Sequence, residues 1–282
     1  MWTQIRQAAR ILHNLAPRPM VNFAYNLVLD MAEAPARFHP GARPRPWRSL
    51  HNVGGGDFHH LGRIYADWIG EALRLRADHT LLDMGCGAGR LMFPLAERLG
   101  EGGRYIGFDV SRRALGWARR HAPDSAAEFD FVHADLANAE YGAAGGTAAA
   151  YRFPADDDSV DGGFAISLFT HLKPEDAAHY FKEAARVLKP GGRLALTAYL
   201  IDDEAREAIA AGRGLAFAPW RDGAWVLDAR APERAVAFER GAFDGWIEAA
   251  GLGYAGEIAR GAWTRRAADD DYQDRIVLEK PA

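Results

Sequence analysis

The sequence has few of the features that mark secreted, membrane-spanning or strongly charged proteins. It contains one cysteine in 282 residues, which excludes a disulfide framework and a cysteine zinc site and suits a reducing cytoplasm. A run of about eighteen apolar residues, which a membrane-spanning helix needs, is absent. The net charge of −4 provides no general attraction for nucleic acid. We therefore expect a cytoplasmic protein without a nucleic-acid partner.

Acidic residues are missing from the first part of the chain, where the first one is Asp30. Apolar residues at helical spacing and a break at Pro17 predict two helices, the second over Met20–Ala32. We interpret residues 1–60 as a helical extension that caps the cofactor and the substrate. Contact of residues 1–32 with a membrane surface and an organelle transit peptide are the alternatives.

The rest of the chain is organised around one strand, one glycine turn and the start of a helix. The sequence LLDMGCGAGR at Leu81–Arg90 begins as a short apolar strand and continues with three glycines at every second position. These glycines allow a sharp turn with accessible backbone N–H groups, and Arg90–Leu99 has helical periodicity. Such a unit binds a nucleotide-like ligand on backbone donors. The dinucleotide fingerprint requires a further glycine where Arg90 stands, so the pattern disfavours a nicotinamide-dependent oxidoreductase.

A carboxylate at the end of the next predicted strand indicates which kind of nucleotide binds. The strand RYIGFDV at Arg104–Val110 ends in Asp109, about twenty residues after the last glycine of the turn. A ribose-binding acid belongs at this place in such folds. Each bond from a ribose hydroxyl to the carboxylate would contribute roughly 1.5 to 3 kcal/mol. We therefore predict that Asp109 binds a ribose.

On these motifs the chain resembles the class I S-adenosylmethionine-dependent methyltransferases, from about Thr80 to Leu200 and again at the C-terminus. The later motifs that carry the resemblance are HADL, GGFAISL and VLKPGGRLALTAYL. The resemblance implies a Rossmann-like α/β fold, with a seven-stranded, mostly parallel sheet, an antiparallel last strand and helices on both faces. The methyltransferase domain would occupy residues 61–282, with a lid insertion at about 201–240.

The resemblance also implies a donor site around the glycine turn, with S-adenosylmethionine as cofactor and S-adenosylhomocysteine as product. Asp135 and Leu136 would contact the adenine. The acidic run Asp156–Asp158 is interpreted as a solvated turn, so no metal is expected. The complete set of predicted donor-binding residues is Asp83, Gly85, Cys86, Gly87, Gly89, Arg90, Asp109, Val110, Asp135, Leu136 and Ser167.

A general base is predicted on the acceptor side. His171 is the first candidate, because it follows the fourth predicted strand and histidine accepts a proton near neutral pH. His59 and His60 are the next candidates, and a purely structural bond from His171 to backbone is the alternative. The residues after this strand lack the Asn or Asp, Pro-Pro and aromatic pattern of the family's DNA and protein amide methylases.

We therefore expect methyl transfer to a small-molecule acceptor, with a hydroxyl oxygen as the target. Two alternatives remain. One is an N- or C-methyltransferase that acts on a quinone-like or lipid acceptor. The other is a protein that binds S-adenosylmethionine without catalysis. A homodimer is also an open alternative.

Overall fold

The computed structural model describes residues 18–48, 57–136, 145–265 and 271–282. The chain divides into two compact units, Met1–Leu61 and Gly62–Ala282. The first predicted helix, before Pro17, lies outside the described residues. The glycines that precede Asp57 lie outside them as well.

In the first unit, one helix is followed by a proline-rich segment that folds back on it. Helix α1 (Arg18–Arg37) runs past its predicted end. The Arg37 guanidinium donates hydrogen bonds to the backbone oxygens of Arg45 at 2.7 Å and Pro46 at 2.9 Å. It also lies 4.3 Å from the centre of the Trp47 ring. Contacts of one arginine therefore order a segment that has no regular secondary structure.

The second unit is built on a seven-stranded sheet. Its strands are β1 (Thr80–Met84), β2 (Arg104–Asp109), β3 (Glu128–His133), β4 (Val160–Ala165), β5 (Leu188–Ala198), β10 (Gly253–Tyr254) and β11 (Asp274–Glu279). Their order in the sheet is β3, β2, β1, β4, β5, β11, β10. Strands β1 to β5 pair in parallel, whereas β11 pairs antiparallel with β5 and with β10. The predicted sheet is confirmed, and its order reverses between β1 and β4, where α/β proteins bind ligands.

One helix precedes β1, and the other helices of this unit lie between its strands. They are α2 (Phe58–Ala72), α3 (Met92–Ala96), α4 (Arg112–His121), α5 (Pro174–Val187), α6 (Asp203–Ala210) and α7 (Arg240–Ala249). Helix α4 begins after Ser111, whose hydroxyl accepts the Ala114 N–H at 3.2 Å. Helices α5 and α7 pack through Phe181 and Phe243, whose ring centres lie 5.2 Å apart. These buried aromatic contacts fix the helices beside the sheet.

The segment predicted as a lid folds into a small sheet of its own. Its strands are β6 (Leu200–Ile201), β7 (Ala218–Pro219), β8 (Ala224–Val226) and β9 (Val236–Glu239), in the order β6, β9, β8, β7. A separate apolar cluster packs beneath it and includes Tyr199, Phe217 and Trp263. The insertion is therefore a folded element with its own core.

Two predicted elements have wrong boundaries. The helix expected over Arg90–Leu99 is a single turn, α3, and Pro94 inside it has no N–H to extend the helical hydrogen bonds. The strand expected over Tyr254–Trp263 is regular only at its start, as β10, and pairs with β11 again at one isolated bridge between Ala259 and Arg275. Beyond β10, the Asp274 carboxylate accepts the Gly261 N–H at 2.9 Å. This bond holds the chain in a loop where a longer strand was expected.

Candidate active site

The glycine turn follows β1 with all three of its glycines at positive φ, between 54° and 76°. A Cβ at Gly85 would lie 3.2 Å from Cδ1 of Leu168, which follows β4. A Cβ at Gly89 would lie 2.6 Å from the Met92 sulfur. A side chain at either position would be strained and crowded. The turn therefore presents bare backbone next to the loop after β4.

Asp109, at the end of β2, is hydrogen-bonded to the glycine turn. One carboxylate oxygen accepts the Gly87 N–H at 2.8 Å, and the other accepts the Ser111 N–H at 2.7 Å. Burial raises the pKa of Asp109, and these two backbone bonds oppose that rise. A carboxylate oxygen accepts about two hydrogen bonds, so each oxygen retains capacity for one more donor.

Asp83 lies behind the turn, buried at 3% exposure. Its carboxylate accepts the hydroxyl of Tyr105, a residue of β2 that is 0% exposed. Burial raises the pKa of Asp83 to about 7; the Tyr105 bond opposes this rise, and the charge of Asp109 adds to it. Near neutral pH, Asp83 thus exists in both protonation states, and a cationic ligand would favour the ionised one.

Cys86 and Arg90 complete the turn. The Cys86 sulfur packs over β2, where a Cβ at Gly107 would lie 2.8 Å from it. Burial raises the pKa of the Cys86 thiol well above its usual value, which suits an unreactive packing residue. Burial also lowers the pKa of Arg90, while the neighbouring Tyr65 and Asp83 oppose this change. Arg90 therefore places a partly buried cation near Asp83.

The other end of the predicted donor site lies at the ends of β2 and β3. The predicted residues there are Val110, Asp135 and Leu136. Leu136 is buried and Asp135 is exposed. The backbone oxygen of Asp135 accepts the Gly146 N–H at 2.9 Å. His133, which the sequence analysis missed, bonds the Val110 carbonyl through Nε2 at 3.1 Å. Because a carbonyl only accepts, this His133 nitrogen carries the proton.

Ser167 follows β4 in the left-handed conformation, with φ of 57°. Its N–H donates to Thr197 Oγ1 at 2.8 Å, and its carbonyl accepts the Thr170 hydroxyl at 3.0 Å. Its own hydroxyl donates to Gln273 Oε1 at 3.2 Å. A non-glycine residue rarely adopts this conformation unless its surroundings hold it, as these bonds do here.

A cluster that the sequence analysis missed holds the segment before β11. The Asp271 carboxylate accepts the Tyr65 hydroxyl at 3.0 Å and the Arg275 Nε–H at 2.9 Å. The Arg275 guanidinium lies 5.7 Å from the Tyr65 ring centre and 5.2 Å from that of Trp68. Burial raises the pKa of Tyr65, so its phenol stays protonated and donates to Asp271. This cluster ties α2 to the chain that leads into Gln273.

His171 lies in a short 3-10 turn after β4, and its ring faces the insertion. Nδ1 lies 2.8 Å from the backbone oxygen of Glu233. Because that oxygen only accepts, Nδ1 carries the proton, and the neutral ring has its lone pair on Nε2. His171 therefore connects the loop after β4 to the insertion.

His59 and His60 lie in the first turn of α2, within the first compact unit. His59 is half-buried, and burial lowers the pKa of its imidazole. His60 is exposed, and its N–H donates to Asp57 Oδ1 at 2.8 Å, so Asp57 caps this helix. An acceptor-side role for either histidine stays a prediction.

Sheet order, glycine turn and the position of the Asp109 carboxylate agree with the Rossmann-like fold that the resemblance to class I S-adenosylmethionine-dependent methyltransferases implies. A family model described as "Methyltransferase domain" matches residues 81–192, from β1 into β5. Over these residues the chain is similar to known methyltransferases.

Two curated relatives share this region. Nocamycin O-methyltransferase of Saccharothrix syringae is 36% identical over 158 residues, which are 56% of this chain and 48% of that protein. Methyltransferase GfsG of Streptomyces halstedii is 36% identical over 135 residues, which are 48% of this chain and 43% of that protein. The chain spans about half the length of these relatives or less.

One solved structure resembles the chain over almost its whole length. The crystal structure of the cyclase SpnF matches with a TM-score of 0.54 and 18% identity, over 94% of this chain and 96% of that one. At this identity the likeness shows the fold alone. The chemistry must therefore be argued from the residues of this chain.

Proposed function

We propose that this chain transfers the methyl group of S-adenosylmethionine to a hydroxyl oxygen of a small molecule and releases S-adenosylhomocysteine. The hydrogen bond from Gly87 to Asp109 carries this proposal, because it joins the glycine turn to a carboxylate that retains capacity for ribose hydroxyls. Oxygen as the target is supported by the similarity to nocamycin O-methyltransferase over 158 residues.

The residues around the turn fit the methyl donor. Gly85 has no side chain between the turn and Leu168, and Asp109 can accept further bonds from a ribose. Asp135 and Leu136 would hold the adenine. The oppositely charged residues Asp83 and Arg90 would hold the amino-acid end of the donor. The rest of the donor would be lined by Cys86, Gly87, Gly89, Val110 and Ser167.

When bound, the donor's sulfonium supplies an electrophilic methyl group, so the protein needs only to place an acceptor oxygen and remove its proton. We infer that His171 accepts this proton at Nε2. The bond from Nδ1 to the Glu233 carbonyl supports this role because it selects the ring form with a lone pair on Nε2. A hydroxyl has a high pKa, so a nearby base accelerates the transfer.

Calorimetric titration with S-adenosylmethionine, S-adenosylhomocysteine and NADH tests the donor. We expect micromolar binding of both sulfur nucleotides, loss of that binding in Asp109→Ala, and no binding of NADH. Transfer of a radiolabelled methyl group to catechol, phenol, cyclohexanol and aniline then tests the acceptor atom. Labelled ethers support the proposal, and labelled N-methylaniline alone would contradict it.

An exposed apolar surface favours a second candidate, methyl transfer to a quinone-like or lipid acceptor. On α1 and just after it, Leu27, Val28, Met31 and Phe38 are between 42% and 77% exposed. No helix in the described part of the chain is long and apolar enough to cross a bilayer. Co-sedimentation with phosphatidylglycerol vesicles, lost on Met31→Asp, would support this candidate.

A third candidate, a protein that binds the donor without catalysis, would bind S-adenosylhomocysteine and label none of the acceptors. Among the described residues, no group of three or more metal-ligating side chains lies together. The expectation that no metal takes part stays a prediction. Labelling that is unchanged by EDTA would support it.

A further inference from the structure

One turn of the insertion contacts the segment after β4 at two points. The turn, Pro232–Arg234, lies between β8 and β9. The Glu233 carbonyl accepts the Nδ1–H of His171 at 2.8 Å. The Glu233 carboxylate lies 2.6 Å from Nζ of Lys173, two residues further along the chain from His171. One residue of the insertion therefore binds both the candidate base and the residue that precedes α5.

The ion pair of Glu233 and Lys173 is partly shielded from water. The Glu233 side chain is 10% exposed and the Lys173 side chain is 33% exposed. Salt screens such a partly buried pair less than it screens a surface pair. The hydrogen bond to Glu233 raises the pKa of the Lys173 ammonium, so the lysine stays charged at neutral pH. Separating the two charges would leave the glutamate where little water reaches it, so the pair holds the turn in place.

The backbone around the candidate base is fixed by other contacts. Lys173 caps the start of α5, and its carbonyl accepts the Ala177 N–H at 2.9 Å. Phe169, in the same short turn as His171, is fully buried, and its ring centre lies 4.9 Å from that of Phe181. The adjustable part of this segment is therefore the imidazole ring, which the turn of the insertion holds.

The Glu233 carbonyl selects the ring nitrogen of His171 that carries the proton. A carbonyl only accepts, so its bond keeps the proton on Nδ1 of the neutral ring and leaves the lone pair on Nε2. If the carbonyl moved away, the proton could lie on Nε2 instead. A ring in that form cannot accept a proton at Nε2.

A second ion pair joins the insertion to the same end of α5 without involving Glu233. Arg221 Nη2 lies 2.7 Å from Glu175 Oε1, and both side chains are more than 40% exposed. An exposed pair of this kind contributes little to stability. Arg221 therefore provides a matched control for Glu233.

We propose that Glu233 is a positioning residue for methyl transfer. Its carboxylate, paired with Lys173, holds the turn so that the Glu233 carbonyl keeps His171 in the form with a proton on Nδ1. As the bond from sulfur to the methyl group breaks and the bond to the acceptor oxygen forms, the acceptor's proton moves to Nε2. The insertion thereby controls whether the base can act. This inference rests on the proposed function.

NMR of the protein labelled with nitrogen-15 in its histidine rings tests the ring form without any turnover. In the wild type at pH 8, the signals that vanish in His171→Asn should show the Nδ1–H form. Glu233→Ala keeps the backbone carbonyl and loses the carboxylate, so the same signals should shift toward the Nε2–H form.

Kinetics of Glu233→Ala test the consequence for the reaction. For the hydroxyl acceptor that the wild type labels fastest, kcat should fall about tenfold, because proton removal is the step affected. The KM for that acceptor and the affinity for S-adenosylmethionine should stay unchanged within about twofold. A loss of fold alone would not move the ring form and kcat while leaving both of these constants unchanged.

Changes at Lys173 test whether the ion pair is the cause. Lys173→Met should shift the ring form and lower kcat as Glu233→Ala does, whereas Lys173→Arg keeps the charge and should retain both wild-type properties. The double variant Lys173→Met/Glu233→Ala should lose little more than either single variant. Arg221→Met should behave like the wild type. Lys173→Met replaces Glu233→Ala should the latter fail to fold.

Two results would overturn the role of Glu233. One is a wild-type protein with His171 in the Nε2–H form, and the other is a Glu233→Ala protein whose ring form or kcat equals that of the wild type. A wild-type protein that methylates none of the acceptors, but whose ring form depends on Glu233, would instead contradict the proposed function. The two failures are therefore distinguishable.

Discussion

The N–H of Gly87 donates to the carboxylate of Asp109 at 2.8 Å, so the glycine turn and the candidate ribose-binding residue are one hydrogen-bonded unit. Asp109 therefore has two roles in this structure. It holds the turn in place through Gly87, and it presents the remaining lone pairs of its oxygens at the end of β2.

Asp109→Ala should weaken S-adenosylmethionine binding at least tenfold, because it removes charge-assisted bonds worth roughly 1.5 to 3 kcal/mol each. It should also lower the free energy of unfolding, since Gly87 and Ser111 lose their acceptor. Titration calorimetry and urea denaturation measure the two effects. Asp156→Ala, at an exposed turn, is the control and should change neither. Wild-type affinity in Asp109→Ala would rule out the ribose assignment.

The buried carboxyl of Asp83 should make stability depend on pH. Because burial raises its pKa to about 7, the folded protein retains a proton that the unfolded chain releases near pH 4. Its contribution to stability therefore falls as the pH rises from about 4 to about 7, by at most about 4 kcal/mol, and is constant above that.

Asp83→Asn keeps an oxygen for the Tyr105 hydroxyl and cannot ionise. Relative to the wild type, the variant should gain stability between about pH 4 and about pH 7 and gain no more above that, measured by urea denaturation at several pH values. Parallel stability curves for the two proteins would show that Asp83 does not titrate in this range.

His171→Asn separates the two roles of His171. The asparagine NH2 can take the place of Nδ1 and donate to the Glu233 carbonyl, but it has no basic nitrogen. We expect a loss of about 100-fold or more in kcat for catechol methylation, with the affinity for S-adenosylmethionine retained. His179→Gln is a matched control, since His179 bonds the Tyr151 carbonyl through Nε2 and should be replaceable. Full activity in His171→Asn together with loss of activity in His171→Ala would show that His171 acts only through its bond to the Glu233 carbonyl and not as a base.

The contact between the glycine turn and Asp109 could be predicted from the sequence because its parts are close along the chain. The glycine turn and Asp109 lie on adjacent strands, and the residue types and spacing there are specific. The bond between Ser167 and Gln273 could not be predicted, because Gln273 lies 106 positions from Ser167 and reaches it only through the pairing of β11 with β5. The bond from His171 to Glu233 spans 62 positions and has no local signal either.

Alanine substitutions at two glycines distinguish a loss of stability, caused by backbone strain, from a loss of donor binding, caused by a side chain that blocks the site. Gly85 and Gly102 have nearly the same left-handed φ, 76° and 79°, so alanine at either should cost about 1 kcal/mol of stability. A Cβ at Gly85 would press on Leu168 at 3.2 Å, whereas a Cβ at Gly102 would meet nothing within 4 Å. Only Gly85→Ala should therefore weaken S-adenosylmethionine binding, by about tenfold or more in calorimetry. Equal affinities in the two variants would mean that the surface between Gly85 and Leu168 does not touch the donor. Because Ser167 directly precedes Leu168, that result would also contradict the predicted donor-binding role of Ser167.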